Sequence, residues 1–189
     1  MQAVIPTSHV GKTVLGHPNF WVYFPTSSSQ IDRLEFVLQN EAREDIWRTP
    51  ISLDSEGSTV NVNHEKSNYK NFSLPSSEPP LKTGQWYRWY VKVYCKSQIA
   101  SSHYVQGWIN RIPLNSALHM DLEQKKQRLY KVYGSHGVWY DAVNHILKAS
   151  QHNPDDLNLK ENWQKLLEAA GLCSSQLPAV TTNYSVERY

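Results

Sequence analysis

The hydrophobic period of this chain changes once, between Ile112 and Ala117, and that change constrains what each part can fold into. Before it, apolar residues come in short β-prone runs with polar breaks. Phe20-Trp21-Val22-Tyr23-Phe24 lies between Pro18 and Pro25, and Leu34-Glu35-Phe36-Val37-Leu38 alternates over part of its length. Ile46 to Leu53 follows, and its Pro50 marks an edge strand or a bulge, because proline cannot donate to a sheet ladder. Thr59 to Val62 and Asn71 to Leu74 are weaker candidates; Trp86 to Cys95 and Tyr104 to Ile112 are the strongest. Short strands spaced by roughly ten residues, with polar turns between them, point to a sandwich rather than a parallel sheet.

After the change the spacing is helical. Leu118, Leu122, Leu129 and Tyr133 form one set, Trp139, Ala142, Val143, Ile146 and Leu147 a second, and Leu157, Trp163, Leu166 and Leu167 a third. Gly134, Gly137 and Pro154 separate three helices, and Gly171-Leu172 closes the last. Leu129, Tyr133, Gly137, Trp139, Ala142, Ile146, Ala149 and Pro154 also sit at the offsets of a tetratricopeptide repeat. One such repeat cannot bury its own apolar face, so these helices are expected to lie on the sandwich. Asp155 and Asp156 follow Pro154, where carboxylates cap the next helix and complement its dipole.

Leu81, Gly84 and Tyr87 stand three residues apart just before the strongest strand, the pattern of the tyrosine corner in immunoglobulin-like sandwiches. There the tyrosine hydroxyl bonds to upstream backbone and fixes the chain as it enters the strand. The expected fold class is therefore α+β: an immunoglobulin-like antiparallel sandwich over residues 1–116, then three helices over 117–173 with a tetratricopeptide-like hairpin. A loose polar tail is expected over 174–189. A single domain of 189 residues buries enough surface to need no covalent staples.

Composition narrows the function classes. The formal net charge is +2, and the one dense basic run, Lys125-Lys126-Gln127-Arg128, reads as the solvated face of a helix rather than a phosphate track. Nucleic acid is not an expected partner. Two cysteines, Cys95 and Cys173, make no disulfide scaffold and read as thiols, one of them buried. No apolar run reaches the length of a membrane helix. Met1-Gln-Ala-Val-Ile-Pro does not begin a signal peptide, so taken at face value the chain is cytoplasmic.

No motif for catalysis or metal binding survives scrutiny. Gly11-Lys12-Thr13 resembles the end of a phosphate loop, but Pro6 occupies the required earlier glycine. Asp141, His145 and His152 could share a helix face, yet Pro154 follows closely, and they read as solvated side chains rather than ligands. No G-x-S-x-G is present, and neither cysteine has a histidine partner in sequence. No cofactor is expected, and the chain reads as non-enzymatic.

What stands out is an aromatic face. The chain has seven Trp and eleven Tyr against four Phe. Strand alternation puts Tyr87, Trp89, Val91, Val93 and Cys95 on one side, and Trp86, Arg88, Tyr90, Lys92 and Tyr94 on the other. Hairpin pairing adds Tyr104, Gln106 and Trp108 to the second side. Aromatic rings interleaved with Arg and Lys stack on peptides, sugars or bases. Because the helices need a surface to cover, the expectation is that they cover this one, with Arg88 and Lys92 reaching to its rim.

Several blocks resemble one family. These are His17 to Pro25, Glu35-Phe36-Val37-Leu38, Trp47-Arg48-Thr49, Pro80 to Tyr90, Gly107-Trp108-Ile109-Asn110-Arg111, Gly137 to Ala142, Trp163 to Leu167 and Gly171-Leu172. Together they are similar to the domain-of-unknown-function 928 family of cyanobacteria, over most of residues 3 to 172. The resemblance implies no known chemistry and no catalytic residue to carry over. Members commonly have an export signal and a spacer before this domain, which implies an exported or periplasmic setting. The resulting expectation is a protein-interaction module of a cell-envelope or secretion system. A carbohydrate-binding module using Trp86, Arg88, Tyr90, Lys92, Tyr94 and Trp108 is the alternative, and an uncharacterised hydrolase a remote one. The structural residues of this reading are Leu81, Gly84, Tyr87, Gly137, Trp139 and Ala142.

Overall fold

A computed structural model describes residues 1–24, 31–52, 68–95 and 103–180. The architecture is α+β, with strands first and helices last. The strands are β1 (Gln2–Ala3), β2 (Val10–Thr13), β3 (Asn19–Tyr23), β4 (Ile31–Gln39), β5 (Asp45–Ser52), β6 (Tyr69–Ser73), β7 (Trp86–Cys95) and β8 (His103–Arg111). The helices are α1 (Ser116–Gln124), α2 (Leu129–Ser135), α3 (Trp139–His152) and α4 (Leu157–Ala169). The candidate strand from Thr59 to Val62 lies outside the described residues.

Two sheets form. One has the order β1-β3-β6 and the other β2-β8-β7-β4-β5. All pairings are antiparallel except β2 with β8. Pro50 sits in β5, an edge strand among the described residues, where proline is tolerated. The inward faces of both sheets meet in one aromatic core. Phe20 of β3 lies 5.0 Å from Phe36 of β4 and 5.4 Å from Trp89 of β7, and Phe72 of β6 lies 6.0 Å from Phe36. All four rings are fully buried. Rings of this size dominate the energetics of a core, which is why the alternating pattern of β7 holds its register.

The sequence readings missed β1 and β2. The glycine of Gly11-Lys12-Thr13 belongs to β2, and it is there for space: a Cβ on Gly11 would come within 2.6 Å of the Tyr140 ring. That ring belongs to α3, whose first turn is stitched to both sheets. Trp139 Nε1 donates to the Val4 carbonyl at 3.1 Å. The Tyr140 hydroxyl accepts from Trp89 Nε1 at 2.6 Å and donates to the Trp108 carbonyl at 3.0 Å. Asp141 accepts from the Thr13 hydroxyl and the Val14 N–H, at 3.2 and 3.0 Å. One turn on, Trp21 Nε1 donates to Asn144.

Helices and chain end together cover the outer face of the three-stranded sheet. Trp163 of α4 meets Tyr69 of β6 edge-on, with ring centroids 5.9 Å apart. Trp163 Nε1 donates to the Leu177 carbonyl, and the Tyr69 hydroxyl donates to that of Pro178. Residues 174–180 are therefore not a loose tail: Leu177 and Val180 are buried in the main core. Residues 181–189 lie outside the described part.

Four helices stand where spacing predicts three. Leu118 to Tyr133 reads as one helix, but the chain leaves helical geometry at Lys125, with φ −115° and ψ 43°, and passes through a 3₁₀ turn at Lys126–Arg128. The run Lys125-Lys126-Gln127-Arg128 is exposed and has no apolar side to hold against the core, so nothing sustains the helix across it. That run is a connection, not a helix face. Asn115 caps α1 and Asp156 caps α4, each with its side chain accepting from backbone N–H groups of the first turn.

Candidate functional site

The tyrosine corner comes first, because it sets where β7 begins. Leu81 and Tyr87 are buried, and Gly84 takes φ 82°, a backbone conformation natural to glycine. The Tyr87 hydroxyl accepts from the Lys82 N–H at 2.9 Å and donates to the Gln85 side chain at 3.1 Å. Gly84 N–H donates to the Arg111 carbonyl, which ties the corner to the end of β8. From this fixed entry, β7 alternates through Tyr87, Trp89, Val91 and Val93 on its buried side.

On the other side, Trp86, Arg88, Tyr90, Lys92 and Tyr94 are each half-buried. Register with β8 sets Arg88 opposite Trp108, Tyr90 opposite Gln106 and Lys92 opposite Tyr104. Register with β4 adds Gln39, Val37, Glu35 and Arg33 opposite Arg88, Tyr90, Lys92 and Tyr94. Here the structure corrects the expectation. The helices do not cover this face; they lie on the outer side of the three-stranded sheet and against the β2 edge of the other. Tyr140 of α3 does reach the five-stranded sheet, but from the inner side, at Trp89. Tyr104 remains 59% exposed.

Cations and rings interleave on the face. The Arg88 guanidinium stacks 4.8 Å from the Tyr90 centroid and 5.7 Å from that of Trp108, and its Nη2 donates to Gln106. Arg33, itself exposed, lies 4.2 Å above Tyr94. Tyr90 and Tyr104 meet edge-on at 61°. Each stacked cation is worth about 0.5–1 kcal/mol at an exposed site. Together they hold the rings in fixed orientations.

The carboxylates on this face are already engaged. Glu35 takes Arg48 at 2.8 Å, Lys92 at 3.7 Å and the Tyr94 hydroxyl at 3.1 Å. Asp45 sits below its ordinary pKa, held there first by the Gln39 side chain and then by Arg48. A carboxylate so stabilised as an anion is a poor base. The contribution of β4 and β5 to the face was missed in the sequence. The signal was the alternation Arg33, Glu35, Val37, Gln39, which shares a side once β4 is paired with β7.

The remaining candidates are dispersed. Gly137 takes φ 68° before α3, and Trp139 and Ala142 are buried structural residues. Asp141 and His145 are not solvated, as spacing had implied: Asp141 is 1% exposed, and His145 stacks on Tyr133 at 5.4 Å. His152 is exposed, its Nδ1 against the Lys148 carbonyl. No group of three His, Cys, Asp or Glu residues is placed to hold a metal among the described residues. Cys95 is half-buried at the end of β7, and Cys173 is exposed after α4. Among the described residues no helix is long and apolar enough to cross a membrane. A concavity of about 740 Å³ lies beside Lys125, Lys126, Arg128 and Lys131, away from the aromatic face. Two of its lysines are paired with Asp121 and Glu123.

Residues 1–178 match the family described as Domain of Unknown Function (DUF928), and the chain belongs to that family. No curated protein matches it.

Proposed function

We propose that this member of the DUF928 family is a non-enzymatic protein-recognition module, which docks its partner on the outer face of the five-stranded sheet. The observation that carries the reading is the placement of the helices away from this face, which leaves Trp86, Tyr90, Tyr104 and Trp108 uncovered by them. Large aromatic faces rarely stay open on a monomer unless they bind something. Tyr, Trp and Arg are the residue types that dominate protein interfaces, and this face is built from them.

The finer fold reading supports the same conclusion. In an immunoglobulin-like sandwich the first, second, fourth and fifth strands form one sheet, and the third, sixth and seventh the other; no counterpart of the fourth stands among the described residues. The orders β1-β3-β6 and β2-β8-β7-β4-β5 fit that scheme, with β2 as a second segment of the first strand and β5 as an added edge. We read α2 and α3 as a tetratricopeptide-like hairpin spent on closing the core, with Tyr133 stacked on His145 across it. Carbohydrate is the less favoured ligand, because sugars stack on open ring faces and here guanidinium groups occupy Tyr90, Tyr94 and Trp108. The setting we propose for the module is a cell-envelope or secretion system.

Tyr104→Ala and Trp108→Ala test the reading by pull-down from the host and by glycan array. Both variants should keep a cooperative unfolding transition and lose the captured protein. Unchanged capture would place the functional surface elsewhere, and glycan binding lost in both variants would make sugar the ligand.

A further inference from the structure

We infer that the partner segment bound by this face is acidic and extended. The inference rests on the face being the docking surface and names the chemistry of what docks there. Its basis is charge. The whole chain carries a formal +2, yet this one face presents Arg33, Arg48, Arg88 and Lys92 against the carboxylates Glu35 and Asp45, with Glu41 at its Trp86 end held by the Trp86 N–H. Those two acids are spent on Arg48 and Lys92. Arg33 and Arg88 have no carboxylate within ion-pair distance among the described residues.

Both of these arginines are stacked on tyrosine rings, Arg33 on Tyr94 and Arg88 on Tyr90. Stacking holds a guanidinium plane in place, and its edge N–H groups then match a carboxylate in bidentate fashion with little further loss of freedom. Of the five donors of Arg88, Gln106 takes one and the buried Nε–H is shut off from a ligand, which leaves three Nη N–H groups for a carboxylate. An unpaired guanidinium on an apolar surface repels cationic partners and rewards anionic ones, so the pair selects as well as binds.

The spacing gives the shape of the ligand. Arg33 pairs with Tyr94, and Arg88 with Gln39, so the two sites lie six residues apart along β4. At about 3.3 Å per residue that is roughly 20 Å. An extended segment reaches this with carboxylates six positions apart, whereas a helix would need about thirteen residues for the same span. Between the two charges such a segment would cross Tyr90, Lys92 and Tyr104, so apolar or aromatic residues belong there.

The test is an array of random-sequence synthetic peptides, probed with the full chain and with Arg33→Gln, Arg88→Gln and Tyr104→Ala. Arg33 and Tyr104 are exposed, so their variants keep the fold even if Arg88→Gln is destabilised. Bound peptides should be enriched in Asp and Glu, most strongly six positions apart. Affinity should fall about tenfold in each arginine variant, the usual effect of losing a charge-assisted contact, and should fall again with rising salt. Neutral or basic peptides that bind and still require Tyr104 would overturn the acidic assignment while leaving the docking face intact. Peptides indifferent to all three variants would overturn both.

Discussion

Asp141 is a carboxylate displaced well above its ordinary pKa range. It is buried at the start of α3, and burial lifts its pKa from 3.8 to about 6, against the lowering effect of its bonds from Val14 and Thr13. The folded state then binds more protons than the unfolded state between about pH 4 and 6, so this group makes stability fall as pH rises through that window and level off above it. The rise from 3.8 to about 6 corresponds to roughly 3 kcal/mol. His145 works in the opposite direction: burial lowers its pKa, so it withdraws stability as pH falls below its ordinary 6.5. Urea unfolding of the wild type and of Asp141→Asn from pH 4 to 7 separates the two. The difference between their stabilities should change across the window, and parallel curves would contradict the assignment. Tyr87→Phe keeps the ring and removes the hydroxyl that takes the Lys82 N–H, and should cost about 1 kcal/mol, read from the urea midpoint. An unchanged midpoint would mean that the corner is held by packing alone.

Among the elements, β7 shows how far a pattern can be read. Its ten residues alternate so regularly that its bounds and both of its faces were legible from sequence. The corner ahead of it was legible too, because Leu81, Gly84 and Tyr87 each answer a local demand of burial, backbone or hydrogen bonding. β1 and β2 were not legible, being two and four residues long, too short for a period to show. Leu177 and Val180 were hidden for a different reason: two apolar residues in a polar segment carry no period, and only Tyr69 and Trp163, distant in sequence, explain their burial. This segment acts as a strap over α4 and β6. Truncation after Cys173 should therefore cost at least about 3 kcal/mol relative to truncation after Val180, given that each aliphatic side chain lost from the core removes about 1.5–3 kcal/mol. Equal unfolding midpoints for the two truncations would show that the strap adds nothing.

At the scale of the molecule, the question was which sheet the helices would cover. Each sheet offers an aromatic outer face: Trp21, Tyr23 and Tyr69 on one, Trp86, Tyr90 and Tyr94 on the other. The faces differ in what lies between the rings. Arg88 and Lys92 interrupt the second, and burying the Arg88 guanidinium, which has no carboxylate partner among the described residues, under helices would cost several kcal/mol. The first carries the neutral Asn19 and Asn71, which bond to each other. Helix placement thus follows from the charge pattern, a signal present in the sequence but outweighed there by the strength of β7. The most direct measurement is residue-level hydroxyl-radical footprinting of the full chain. Trp86, Tyr90, Tyr104 and Trp108 should be oxidised readily, while Trp21, Tyr69, Trp89 and Trp163 stay protected. Protection of the first group together with oxidation of Trp21 and Tyr69 would place the helices on the wrong sheet and remove the basis for the docking face.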